Sequence, residues 1–332
     1  MNRSSETMQS KPTTILVTGG CGYLGSQLIR DLTANAEADG VTVRILDNMQ
    51  SGELRALMDL PNKGRYQFFE GDVLDPTILR MALEGVDKVV HLASVVRTPL
   101  SFENPTWMGQ VNHWGTAHLV EACLEANVQH FVYTSTTAVY GAGGPHAEID
   151  VCRPQGPYAL SKYEAEKSVI TARERGLSTT ILRLGTLFGD APVTRFDAVA
   201  NRFAYLAGVQ RRLTIYGDGL QKRPLVHVRD ASSAVQYLLQ NPDQEGGIFN
   251  VVGINASILD LVDAIREIQP DIATHYTEQD IRTHFSFDVS GDKLKQLGWS
   301  PRVSLEAGFA EMIGRFTNLT KMPTLSSEMD EE

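Results

Sequence analysis

Tyr158-Ala-Leu-Ser-Lys162 sets a phenol and an ammonium four positions apart. On a helix, positions i and i+4 share one face, so the ammonium can lie beside the phenol. A free phenol titrates near 10, roughly three units too high for a base at neutral pH. A neighbouring cation favours the phenolate and closes part of that gap. The pair therefore predicts proton transfer at an alcohol or a ketone. A Tyr-x-x-x-Lys pair by itself is commonplace on surface helices, and what gives this one meaning lies upstream.

There, Thr18-Gly19-Gly20-Cys21-Gly22-Tyr23-Leu24-Gly25 follows an apolar run and opens a helical one. Glycines at 19, 22 and 25 let the backbone turn tightly and approach a pyrophosphate, while the helix N-terminus offers amide donors and a favourable dipole. The next strand ends in Asp47, where a carboxylate can accept from ribose hydroxyls. That carboxylate would repel a 2′-phosphate, so the expected cofactor is NAD rather than NADP. A plain turn aspartate before Asn48 is the alternative.

These groups need a scaffold, and the hydrophobic pattern supplies one. Apolar runs at Thr14–Thr18, Val41–Leu46, Tyr66–Glu70, Val86–Leu92, Phe131–Thr134 and Thr179–Leu184 read as strands. Between them, helical periodicity marks Tyr23–Leu32, Asn112–Ala126 and Tyr158–Glu174. This alternation predicts an α/β fold, a doubly wound and mostly parallel sheet with a smaller, mostly C-terminal substrate domain. After Gly185 the pattern loosens into a loop, a helix and a strand at Leu213–Tyr216. Val226–Val228, a helix near Ala231–Leu239 and Ile248–Val252 read as a return to the sheet, and the rest as helical with one or two short strands. The expected division is 12–185 plus 225–253 for the dinucleotide and 186–224 plus 254–320 for the substrate, with tails at 1–11 and 321–332.

The 332 residues are 42% hydrophobic, enough for a large core, and carry a formal charge of −10. That balance speaks against a nucleic-acid backbone or an anionic membrane as partner. No apolar run is long enough to span a bilayer, and the polar start lacks a signal-peptide core. Cys21, Cys123 and Cys152 are too scattered for a disulfide framework or a metal knuckle, so no metal is expected and a reducing cytoplasm is.

Taken in order, further segments resemble one family. They include Leu46-Asp-Asn-Met-Gln-Ser-Gly52, Gly71-Asp72-Val73, His91-Leu-Ala93, Val111-Asn112 with Gly115-Thr116, and Tyr133-Thr-Ser-Thr-Thr-Ala-Val-Tyr-Gly141. Pro157-Tyr158, Leu182-Arg183, Leu213-Thr-Ile-Tyr-Gly-Asp-Gly219, Arg223, Val226-His-Val-Arg-Asp230 and Leu297-Gly-Trp299 complete the series. From Thr14 to about Leu305 the chain resembles the nucleotide-sugar epimerase/dehydratase branch of the extended short-chain dehydrogenases/reductases.

The resemblance implies a Rossmann fold, bound NAD, a nucleotide-sugar substrate and a homodimer formed through the helices at Asn112–Ala126 and Tyr158–Glu174. It implies that Gly19, Gly22, Tyr23, Leu24, Gly25, Asp47, Asn48, Ser51 and Gly52 hold the dinucleotide. Asp72 and Val73 would hold the adenine, and Leu92, Ala93 and Ser94 would line the cofactor's middle. Asn112 would join the active-site hydrogen-bond network, with Tyr158 and Lys162 also touching the cofactor. Thr136 falls where the family places the Ser or Thr that bonds the reacting hydroxyl, and Thr134 and Thr137 flank it. Thr186, Tyr216 and Arg223 would contact substrate, the arginine through a guanidinium fork suited to a diphosphate.

Two departures narrow the expectation. Thr186 stands where members often carry an asparagine, so the sugar or its pose differs. Thr137 and Ala138 occupy the stretch where 4,6-dehydratases carry the acidic residue that eliminates water, which demotes dehydration. The expected reaction is epimerisation of a nucleotide-diphosphate sugar at C4 through a 4-keto intermediate, catalysed by Tyr158, Lys162 and Thr136. A net oxidoreductase or keto-sugar reductase is the alternative enzyme. A non-catalytic NAD sensor is the alternative of another class, and it would have no use for the Tyr158–Lys162 pair.

Overall fold

The computed structural model describes residues 13–34, 40–96, 102–241, 247–278, 285–316 and 319. The tails expected at 1–11 and 321–332 lie outside the described residues.

Seven strands form one parallel sheet: β1 (Thr13–Thr18), β2 (Val41–Asp47), β3 (Arg65–Glu70), β4 (Lys88–His91), β5 (His130–Thr136), β7 (Thr179–Leu184) and β11 (Ile248–Val251). Their order is β11-β7-β5-β4-β1-β2-β3. The order reverses between β1 and β4, where an open α/β sheet leaves a crevice at its carboxyl edge. Strand residues alternate between two cores because successive side chains point to opposite faces. Leu16, Leu46, Val89, Phe131, Tyr133 and Ile181 pack towards α2 (Pro76–Leu83), α4 (Gly115–Glu125) and α5 (Gly156–Glu174). Ile15, Val17, Val43, Ile45, Val132 and Leu182 pack on the other side, under α1 (Tyr23–Ala34) and α7 (Val228–Gln240). The doubly wound sheet is as expected.

The expected helix Asn112–Ala126 begins differently. A short α3 (Pro105–Gly109) runs through a π turn at Gln110–Trp114 before α4 starts at Gly115. The π turn carries Asn112, and such single-turn bulges reposition a side chain without ending the helix.

Beyond β7 the path departs from expectation in one respect. The strand foreseen at Val226–Val228 is β10 (Lys222–His227), and it does not return to the large sheet. It pairs in parallel with β8 (Thr186–Phe188) and antiparallel with β12 (Ile254–Ser257) in a separate three-stranded sheet. Val228 opens α7 instead, with the His227 side chain accepting from Arg229 N–H as its cap. Only β11 rejoins the large sheet, beside β7. Periodicity reports that a run is extended, not which edge it will join. β9 (Leu213–Tyr216) pairs with β13 (Thr274–Thr277), and β6 (Gly143–His146) with β14 (Phe287–Val289). Past Val252 there are thus three short strands among the described residues, where one or two were expected. A third core, including Phe188, Phe203, Leu225, Leu261 and Phe309, unites this smaller part with α6 (Val199–Gly208), α8 (Ile258–Arg266) and α10 (Leu305–Gly314). A short α9 (Asp292–Gln296) follows β14.

Candidate active site

The glycine loop closes the carboxyl end of β1. Gly19 has φ +70, and a Cβ there would stand 2.6 Å from Ala93 N. The loop can therefore lie against Leu92 and Ala93 only with glycine at 19. A Cβ on Gly25 would meet the Gly19 carbonyl at 2.2 Å, so α1 also packs on the turn through a glycine. Gly22 is more open: its Cβ would meet only the Gly19 carbonyl, at 3.3 Å. Tyr23 and Leu24 are buried in the first turn of α1.

Asp47 ends β2, nearly buried, and its carboxylate accepts from Cys21 N–H and Met49 N–H, both at 2.9 Å. Burial raises its pKa and these two donors oppose the rise. Each carboxylate oxygen retains a lone pair for a further donor. Gly52 packs against Cys21 and this carboxylate, and a Cβ there would lie 3.0 Å from Asp47 Oδ1; Ser51 beside it is exposed. Asn48 donates to Asp72 at 2.7 Å, and Asp72 also accepts from Leu74 N–H, while Val73 is buried. The structure thus joins the residues foreseen for adenosine at one end of the crevice. Asp47→Ala is expected to weaken NAD binding about 10–100-fold, the value of one or two hydrogen bonds to a charged group, and to narrow the preference over NADP. Calorimetric titration with both dinucleotides checks this; tighter NADP binding by the unaltered protein would overturn the assignment.

At the other end stand the groups that could move a proton. Tyr158 and Lys162 rise from the first turns of α5, and the Thr136 hydroxyl at the end of β5 lies near enough to the Tyr158 phenol to act on it. Thr136 also caps the next turn, accepting from Ala138 N–H at 3.2 Å. Burial raises the Tyr158 pKa, while the charge of Arg195 and the Thr136 hydroxyl lower it. Lys162 is 3% exposed, with Nζ 4.5 Å from the centre of the Tyr133 ring. Burial pushes its pKa down to about 7, against an upward pull from Glu166. Asn112, from the π turn, accepts from Ser94 Oγ at 3.0 Å and Val95 N–H at 2.8 Å, and donates to Ser161 Oγ at 3.1 Å. It ties the loop after β4 to the Tyr158–Lys162 helix.

A profile of the NAD dependent epimerase/dehydratase family matches residues 15–252. The chain belongs to this family. It is 30% identical over 314 residues to the dTDP-D-glucose 4,6-dehydratase of Mus musculus, covering 90% of this chain and 87% of that one. Its fold is similar to the UDP-glucose 4-epimerase of Thermotoga maritima, solved with UDP-glucose (TM-score 0.83, 27% identity, 92% and 98% of the two chains). It is equally similar to the UDP-glucuronic acid 4-epimerase of Bacillus cereus, solved with UDP-glucuronic acid and NAD (TM-score 0.83, 25% identity, 92% and 99%). Among the described residues of this epimerase/dehydratase, no helix is long and apolar enough to cross a membrane.

The other residues foreseen for substrate lie on the smaller sheets, Thr186 only two residues beyond Leu184, the register partner of Thr136. Thr186 (β8) and Arg223 (β10) share the three-stranded sheet, and Tyr216 ends β9 next to Gly217. Arg223 is half-buried, its guanidinium 5.5 Å and 5.6 Å from the Phe285 and Phe287 rings, and it donates to the carbonyls of Lys222 and Phe285. Burial pulls its pKa down to about 10. Arg195 was not foreseen. It sits in the loop before α6, forked onto Asp197 at 2.9 Å and 2.8 Å, and its charge reaches both Tyr158 and Tyr23. That loop carries no motif, and no spacing signal could have linked it to Tyr158. Tyr23 itself hydrogen-bonds the Gly189 carbonyl and Asn201, so the glycine loop grips the start of the smaller part.

Proposed function

We propose that the protein is an NAD-dependent epimerase of a nucleotide-diphosphate sugar, acting at C4. The observation that carries this reading is the Thr136–Tyr158–Lys162 cluster beside a glycine loop that fits NAD, in a chain whose solved relatives include 4-epimerases of UDP-sugars. The same two-part division is proposed, 12–185 with 225–253 for the cofactor and 186–224 with 254–320 for the substrate, β10 being the strand shared between them.

Gly19, Gly22, Asp47 and Asn48 would hold NAD, with Leu92, Ala93 and Ser94 beside its middle. When bound, NAD supplies the acceptor and donor of the C4 hydride. Tyr158 takes the C4 hydroxyl proton and, once the 4-keto sugar has turned its other face to the cofactor, returns that proton to the C4 oxygen. Lys162 stabilises the phenolate through its charge, and Thr136 follows the reacting oxygen because its hydroxyl both donates and accepts. Thr186, Tyr216 and Arg223 would anchor the rest of the substrate. Thr137 and Ala138 provide no acid to expel a C6 hydroxyl, which favours epimerisation over the dehydration of the mouse relative.

The reading has a direct test. UDP-, GDP-, CDP- and dTDP-sugars, with UDP-glucose and UDP-glucuronic acid among them, are incubated with the enzyme and resolved by NMR. With a C4-deuterated substrate, the inverted product should retain its deuterium and no lasting NADH should form. Stoichiometric NADH with a stable ketone would replace epimerisation with net oxidation.

Arg223→Ala is expected to raise the substrate KM about 10–100-fold, because hydrogen bonds to a phosphate are charge-assisted. NAD affinity should stay nearly constant, and the reverse pattern in titrations would put Arg223 on the wrong ligand. A homodimer through α4 and α5 is part of the proposal, in keeping with exposed Trp114 just before α4 and exposed Leu160 on α5. Unpaired Cys21, Cys123 and Cys152 suit the cytoplasm, where we place the enzyme.

A further inference from the structure

One turn beyond Lys162 on α5 lies Glu166, 1% exposed, in a buried network that the scheme above does not use. Arg183 from β7 grips both of its carboxylate oxygens, Nε to Oε1 at 3.0 Å and Nη2 to Oε2 at 2.7 Å. The remaining Arg183 nitrogen donates to Tyr140 Oη at 2.9 Å, and Tyr140 donates to Asn250 Oδ1 on β11 at 2.8 Å. Asn250 in turn donates to the Ser290 carbonyl at 3.0 Å. Glu166 is thus held by Arg183, itself braced through Tyr140 and Asn250 to the Ser290 carbonyl.

The groups that face Lys162 are few. Glu166 comes from its own helix, the Tyr133 ring from β5, and His91 from β4, while Tyr158 stands one turn earlier on the same helix face. His91 is bonded to Thr18 and Thr116 through its two ring nitrogens, and burial, then the lysine's charge, hold it neutral. Tyr133 is likewise held neutral by burial. Glu166 is therefore the anion of this set. Of the ion pair, it is the carboxylate whose charge reaches Lys162; Arg183 spends two nitrogens on that carboxylate and its third on Tyr140.

We propose that Glu166 is a positioning residue for the proton transfer: clamped by Arg183, it holds a fixed negative charge beside Lys162 and keeps that lysine an ammonium next to Tyr158. The physical need is plain. A lysine this deeply buried loses the hydration of its charge and tends towards the neutral amine, which gives a phenolate no support. A carboxylate one turn away offsets that loss. If the carboxylate were free it would pair directly with Lys162 and draw the ammonium off Tyr158; the Arg183 fork prevents that.

The test compares the enzyme with Glu166→Gln and Glu166→Asp, all loaded with NAD. Two quantities are followed against pH: kcat with the sugar substrate, and the near-ultraviolet absorbance of the Tyr158 phenolate, taken as a difference from the matching Tyr158→Phe protein. In Glu166→Gln the alkaline fall of kcat should move down by about one pH unit and the Tyr158 midpoint should move up. Glu166→Asp, which keeps the charge, should restore both positions even where kcat is lower. Should Glu166→Gln fail to fold because Arg183 loses its partner, the double variant Glu166→Gln/Arg183→Gln removes both charges and must show the same two shifts. Unmoved limbs and midpoints, with activity scaled evenly at all pH values, would reduce Glu166 to a strut and overturn the proposal. The kinetic half rests on the epimerase reading, whereas the phenolate midpoint needs no substrate. Absent turnover with a shifted midpoint would therefore sink only the reaction.

Discussion

Tyr158→Phe should fold, retain NAD and lose about 10²–10⁴-fold in turnover, the usual worth of a positioned acid–base group. The substitution deletes one oxygen and leaves the ring where it packs. It does not strand Thr136, whose hydroxyl still caps the turn by accepting from Ala138 N–H. Lys162 keeps its place over the Tyr133 ring. The loss should thus fall on kcat, with melting temperature and cofactor content close to those of the unaltered enzyme. Near-normal turnover would mean that another group carries the proton, and Thr136 would be examined first.

Gly25→Ala should have the larger effect on the molecule as a whole. Its new methyl would stand 2.2 Å from the Gly19 carbonyl and 2.6 Å from Gly20 Cα, both backbone, with no flexible side chain to give way. α1 must then lift from the end of β1, at a cost near or above the roughly 3 kcal/mol upper range of overpacked cores. NAD binding should be lost together with stability, seen in a denaturant melt and in cofactor content. Gly22→Ala separates the two roles. Its methyl meets only the Gly19 carbonyl at 3.3 Å, so the fold should survive while the cofactor is crowded out. Equal stability of Gly25→Ala and the unaltered protein would show that the turn adapts more than its geometry implies.

What the sequence made legible was local. The glycine loop, Asp47 at a strand end and the Tyr158–Lys162 pair each declare themselves within one turn or one strand, where spacing fixes geometry. Most of the seven main strands were legible because a parallel strand buried on both faces reads as a short apolar run; β3, exposed at the sheet edge, showed itself only through Tyr66, Phe68 and Phe69. Long-range facts were not. β10 has the composition of a sheet strand, yet its partners are β8 and β12, short runs too brief to show alternation. The π turn that aims Asn112 looks like ordinary helix in sequence. Arg195 reaches Tyr158 only because Tyr23 and Asn201 hold the Gly189–Arg195 loop in place. Glu166 stood in plain view four residues after Lys162, but its clamp, Arg183, comes from a different strand.

The late return of β11 bears on how the chain is made. β7, with every residue buried in the finished sheet, is completed at Leu184, and the strand that covers its outer edge begins only at Ile248. Roughly sixty residues must leave the ribosome in between, which takes on the order of several seconds at usual elongation speeds. Through that interval the nascent sheet shows an unpaired, apolar edge of the kind that recruits strands from other chains. A chaperone that shields hydrophobic edges has its window there, and nascent chains stalled short of Ile248 should be the ones it holds longest.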